Sequence, residues 1–209
     1  MDHLQQLIER YPIFSTAREN IAKAYHLLEE TFAGGKKLLI AGNGGSAADA
    51  EHITAELMKS FMKKRPLDYD FVSRLEQIDS EHAVYLRGVL QRGLPAISLA
   101  SNAAFLTACA NDISGDSIFA QQVYGYGNEG DTFLGISTSG NSKNIYYAAI
   151  TAKAKNMKTI ALSGAAGGML AKYADVAINV PETDTYKIQE LHLPVYHCLC
   201  LMLEERFFP

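Results

Sequence analysis

The chain has 209 residues and a mass of 22.9 kDa, with 48% hydrophobic residues and a net charge of −4. That apolar content excludes a mainly disordered chain and suffices for one large core. The acidic balance, with no basic run longer than Lys63-Lys64-Arg65, argues against a nucleic-acid partner. Cys109, Cys198 and Cys200 stand in apolar contexts, which suits small core residues in a reducing cytoplasm better than a disulfide framework.

The opening residues, Met1-Asp2-His3-Leu4-Gln5, lack the basic and apolar regions of a signal peptide. No apolar run approaches the roughly 18 residues of a membrane span. The expectation is a soluble, cytoplasmic protein with no membrane partner.

Residues 2–33 carry apolar side chains at helical spacing, among them Leu4, Leu7, Ile8, Ile21, Ala24, Tyr25 and Leu28. Pro12 divides this stretch into a short helix and a longer one that ends near Gly34-Gly35. Short continuous apolar runs follow at 37–41, 95–99, 132–136, 159–162 and 176–180, the pattern of strands buried on both faces. The first four lead into small or polar residues and then a helical segment, as Gly42 to Ser46 leads into a helix at 47–61. The alternation predicts an α/β fold, a doubly wound five-stranded parallel sheet flanked by helices, closed by an amphipathic helix over about 185–207. Residues 62–93 break the rhythm. They read as a helical insertion within the single domain, with Phe71, Leu75, Ile78, Ala83 and Leu86 on one side.

Two strand-to-helix turns are suited to binding an anion. Gly42-Asn43-Gly44-Gly45-Ser46 and Ser137-Thr138-Ser139-Gly140-Asn141-Ser142 bring backbone N–H groups and hydroxyls to helix N-termini. Serine and glycine are also ordinary turn and cap residues, so each loop alone is weak. Two of them at the C-terminal edge of one parallel sheet mark the place where open α/β folds bind ligands. His52 and Glu56 share a helix face four residues apart, while Gln189, Glu190, His192 and His197 punctuate the apolar last helix. Imidazoles with a carboxylate serve either as metal ligands or as an acid–base pair. His3, His26 and His82 read as solvated surface residues.

These motifs resemble the phosphoheptose isomerases, a family of sugar-isomerase (SIS) domain proteins. The resemblance rests on Gly42 through Glu56, on Ala110-Asn111-Asp112, on Gly135 through Ser142, and on Ile188-Gln189-Glu190-Leu191-His192 with His197. It implies a homotetramer with sites between subunits that interconverts sedoheptulose 7-phosphate and D-glycero-D-manno-heptose 7-phosphate through an enediol. It also implies one Zn²⁺ per subunit on His52, Glu56, Gln189 and His197, with Glu56 and His197 as the acid–base pair. Ser137, Thr138, Ser139 and Ser142 would take the phosphate, and Asn43, Gly44, Gly45, Asn111 and Asp112 would complete the sugar pocket. The chain departs from the family where about 28 residues separate Pro66 from Pro95, and where Tyr186-Lys187 precedes Ile188. The alternatives are an isomerase of another phosphosugar, or a regulatory SIS-domain protein of the kind that associates with a replication initiator. Such binding relatives lack the residues matching Glu56 and His197, and both are present here.

Overall fold

A computed structural model describes residues 2–209. Helix α1 (His3–Arg10) is capped by Asp2, whose carboxylate accepts the N–H of Gln5. Pro12 opens a 3₁₀ turn (Pro12–Thr16), and α2 (Arg18–Ala33) follows. The chain then alternates: β1 (Leu38–Ala41), α3 (Gly45–Met58), α4 (Tyr69–Ile78), α5 (Ser80–Val89), β2 (Ala96–Ser98), α6 (Ala103–Cys109) and α7 (Ile118–Tyr126). The remainder is β3 (Thr132–Ser137), α8 (Lys143–Ala154), β4 (Lys158–Ser163), α9 (Gly168–Tyr173), β5 (Val176–Asn179) and α10 (Thr185–Phe207).

All four strand pairings are parallel, in the order β2-β1-β3-β4-β5. The order reverses direction at β1, and the loops after β1 and β3, which are adjacent strands, stand side by side at the sheet's C-terminal edge. Alternate strand residues feed two cores. Leu38, Ile40, Leu134, Ile136, Ile160 and Leu162 pack with residues of α1, α2, α3 and α10 on one face. Leu39, Ala41, Phe133 and Ala161 pack with residues of α7, α8 and α9 on the other. On the second face α8 and α9 approach the sheet closely at Gly135. A Cβ on Gly135 would come within 3.0 Å of the side chains of Ile145 and Leu170.

The insertion forms two helices. Asp79 ends α4 and caps α5, its carboxylate accepting the N–H groups of Glu81 and His82. The apolar side expected there forms in part: Ala83 is buried and Leu75 and Leu86 are half-buried, while Phe71 and Ile78 are exposed, the latter 82%. At the base of the hairpin the N–H of Arg92 donates to the carbonyl of Arg65 at 2.9 Å, and the N–H of Ser60 to Gln91 Oε1 at 2.7 Å. Among the described residues no helix is long and apolar enough to cross a membrane. The three cysteines are free and buried, as expected of core residues.

Candidate active site

Helices α3 and α10 lie against one another and run in the same direction. Gln189 meets Gly45 at the start of α3, His197 meets His52 midway, and Glu204 meets the segment that follows α3. His52 Nε2 lies 3.3 Å from Glu56 Oε1, across one helical turn. The His52 and His197 rings pack edge to face with centroids 5.0 Å apart. Phe61 closes the other side of His197, with ring centroids 5.3 Å apart. Glu56 and His197, predicted to act together, thus both flank His52.

Neighbouring groups set the state of this cluster. Burial and the adjacent His52 push the His197 pKa down, opposed in part by Glu56, so the imidazole is neutral near pH 7. Its Nε2 is buried without a hydrogen-bond partner. His52 Nδ1 is 3.0 Å from the Tyr196 hydroxyl, which lies 3.3 Å from Asp49 Oδ1. Burial raises the Asp49 carboxyl above its ordinary range, against the lowering effect of Tyr196 and His52. Lys59 Nζ reaches Glu56 Oε2 at 3.2 Å.

The glycine and serine loops stand side by side at the sheet's C-terminal edge, while among the described residues no hydrogen bond ties Asn111 or Asp112 to either loop. Asn43 and Asn144 exchange two amide hydrogen bonds of 2.9 Å, tying the glycine loop to the first turn of α8. Gly44 has φ of +55°, the left-handed region where glycine carries no Cβ penalty. A Cβ on Gly45 would stand 2.5 Å from Gln189 Nε2, so the missing side chain makes room for that amide. Ser137 and Ser142 hydroxyls meet at 3.0 Å, and Ser139 Oγ accepts the N–H of Asn141 at 3.1 Å. Thr138 closes the loop from below, its carbonyl accepting the N–H of Gly164. Asn111 and Asp112 lie on an exposed π-helical turn, Ala110–Ser114, where Asn111 Nδ2 donates to Asp112 Oδ1 at 2.8 Å.

The two groups occupy different levels of α3. Eleven residues separate Gly45 from Glu56, about 16 Å at 1.5 Å per residue. Gln189 stands eight residues from His197, about 12 Å along α10, and lies with the glycine loop rather than with the histidines.

The SIS domain family model matches residues 1–91 and 82–164. The phosphoheptose isomerase of Geobacter sulfurreducens is 40% identical over 189 residues, spanning 90% of this chain and 86% of that protein. That of Sulfurimonas denitrificans is 39% identical over 210 residues, 98% of this chain and 94% of its own length. The structure of phosphoheptose isomerase GmhA from Neisseria gonorrhoeae superimposes with a TM-score of 0.73 at 32% identity, covering 97% of this chain and 91% of that one. The chain belongs to the phosphoheptose isomerase family.

Several residues around this phosphoheptose isomerase-family site have no counterpart among the sequence expectations. Asp49 shares the His52/Glu56 face of α3 at a spacing of three and seven residues, which was readable. Tyr196 was hidden in an apolar run. Arg65, read as part of a basic cluster, is 1% exposed and bound to the equally buried Glu204. His3 is not a free surface residue either: its Nε2 lies 3.0 Å from Glu205 Oε2.

Zinc takes imidazole and carboxylate ligands, and the buried, unpartnered Nε2 of His197 beside His52 and Glu56 fits that donor chemistry. Among the described residues, no three His, Cys, Asp or Glu side chains already stand together at metal-holding distance.

Proposed function

We propose that this chain interconverts sedoheptulose 7-phosphate and D-glycero-D-manno-heptose 7-phosphate, as a phosphoheptose isomerase acting through an enediol. The observation that carries the reading is the convergence of Glu56 and His197 on His52, from helices far apart in sequence. Aldose–ketose isomerisation moves one proton between C1 and C2 and another between their oxygens, which requires a base and a conjugate acid in one place. Glu56 and His197 form that pair. A neutral His197, whose Nε2 has no hydrogen-bond partner within the chain, takes up a proton there and returns it within the same turnover when that nitrogen is not holding metal.

The phosphate sits in the serine loop, held by Ser137, Thr138, Ser139, Ser142 and the amides at the start of α8. Asn43, Gly44, Gly45, Asn111 and Asp112 border the sugar. Anchoring the remote phosphate orients the reacting carbons without consuming the acid–base groups. His52, Glu56 and His197, with Gln189, would hold Zn²⁺. When bound, it supplies Lewis-acid stabilisation of the oxyanion that forms. The separation of the two groups along α3 and α10 supports a site closed between copies of the chain in a homotetramer. One copy then offers Glu56 and His197, and another offers the serine loop and Gln189.

The test is conversion of sedoheptulose 7-phosphate to the aldoheptose phosphate by zinc-supplemented protein, followed by NMR. Glu56→Gln and His197→Gln each lower kcat by about 10²–10⁴ while leaving the circular dichroism spectrum unchanged. Normal turnover in both variants would refute the assignment.

A further inference from the structure

Arg65 and Glu204 form a buried ion pair that touches both halves of the acid–base cluster without entering it. Arg65 Nε donates to Glu204 Oε1 at 2.9 Å. Its Nη1 donates to the Leu57 carbonyl at 2.7 Å, and its Nη2 to the Glu56 carbonyl at 2.9 Å. Those carbonyls belong to the last turn of α3, which has no helical partners of its own and favours a cation. Arg65, delivered from seven residues beyond the helix end, therefore caps the C-terminus of the helix that carries Glu56, sharing the Leu57 carbonyl with the N–H of Leu94.

Glu204 serves the other half. Its carboxylate accepts the N–H groups of Phe61 at 2.8 Å, Met62 at 2.8 Å and Lys63 at 3.1 Å. Phe61 is the ring packed against His197. Glu204 also stands seven residues after His197, two turns along the same face of α10. The Phe208 ring covers the guanidinium, 4.6 Å from its centroid. A planar fork that binds two carbonyls and a carboxylate at once cannot be reproduced by lysine, a point charge on a flexible stem.

We infer that Arg65 is a positioning residue for the isomerisation: with Glu204 it fixes the backbone under Glu56 and the wall against His197, and so sets the spacing of the proton-transfer pair. The inference rests on the isomerase reading above.

The test compares wild type with Arg65→Lys and with Arg65→Met/Glu204→Leu, since a buried pair replaced as a whole by apolar residues usually leaves a folded protein. Thermal melts define a temperature at which each is folded, and kcat and KM for sedoheptulose 7-phosphate are measured there. Amide hydrogen exchange is followed over residues 53–63. The expected result is a kcat at least tenfold lower per folded chain in both variants, with KM within twofold of wild type. Exchange at the end of α3 is expected to quicken at least tenfold. A purely structural pair would lower the melting temperature and leave kcat per folded chain unchanged, and that result overturns the inference. If wild type fails to isomerise the sugar, the functional reading falls separately, and unchanged exchange over 53–63 in both variants then overturns the clamp.

Discussion

His52 is held from behind by Tyr196: the imidazole Nδ1 and the phenolic oxygen lie 3.0 Å apart, and the two rings meet edge to face at 5.4 Å. The hydroxyl also approaches Asp49, so one side chain of α10 fixes two residues of α3. Tyr196 is 2% exposed, and burial with the nearby Asp49 carboxylate drives its pKa well above the ordinary phenol value. The phenol stays protonated and donates to Asp49 Oδ1, while its oxygen also meets His52 Nδ1.

Tyr196→Phe removes that oxygen and little volume. The fold is expected to survive with a loss of about 1–2 kcal/mol, because Asp49 and His52 each lose a partner. Released His52 no longer presents Nε2 to Glu56 in one orientation, so kcat/KM falls about 10–100-fold, the usual cost of losing a group that orients a ligand histidine. Steady-state kinetics with urea denaturation check this. Unchanged kcat/KM would mean that packing alone orients the ring.

If the serine loop holds the phosphate as proposed, substitutions there are expected to act on binding rather than on chemistry. Each hydrogen bond to a charged phosphate contributes about 1.5–3 kcal/mol, so Ser139→Ala/Ser142→Ala raises KM at least tenfold and spares kcat at saturation. Mixing this variant with Glu56→Gln, followed by dissociation and reassembly, tests whether sites are shared between copies. At low substrate the mixed assemblies regain activity above either parent, since some sites then combine an intact loop with an intact acid–base pair. Parental activity throughout would place both groups in service of one chain.

His192 gives the native state a defined acid weakness. The side chain is fully buried on α10, and neither ring nitrogen has a partner in hydrogen-bond geometry. Burial lowers its pKa to about 4, opposed in part by the Ser163 backbone. The unfolded chain binds this proton near pH 6.5, before the folded chain does. The stabilising effect is therefore complete above that value and is lost as pH falls toward 4, about 3 kcal/mol in all. His192→Leu removes this contribution. Between pH 7.5 and 4, urea denaturation should show wild type losing about 3 kcal/mol more than the variant. Parallel profiles would mean that the ring does not remain neutral in the fold.

The parallel sheet was legible because strands buried on both faces leave continuous apolar runs, as in Leu38–Ala41 and Thr132–Ile136. The glycine and serine loops were legible because tight turns restrict residue type. Which helices meet was not. Apolar spacing on α3 and α10 shows that each has a buried face, but nothing in either pattern says that the faces belong together with Gln189 at Gly45 and Glu204 beyond Met58. Arg65 was not singled out, for a related reason. Beside Lys63 and Lys64 it looks like solvated charge, and only its partner 139 residues away explains its burial. The insertion was legible as helices without a strand, because its apolar residues recur at helical spacing and no continuous apolar run interrupts them.

That insertion is joined to the domain at its root, by the 2.9 Å link from Arg92 to Arg65 and by the Ser60 N–H donating to Gln91 Oε1 at 2.7 Å, and of its two helices only Ala83 is fully covered. No strand depends on it for register, because β2 is already aligned with β1 from Ala96 onward. The excursion is thus an appendage whose length and surface can drift, or be trimmed to a short turn, without disturbing the machinery beneath. Its root is the one part that lacks this freedom, because Arg65 stands there.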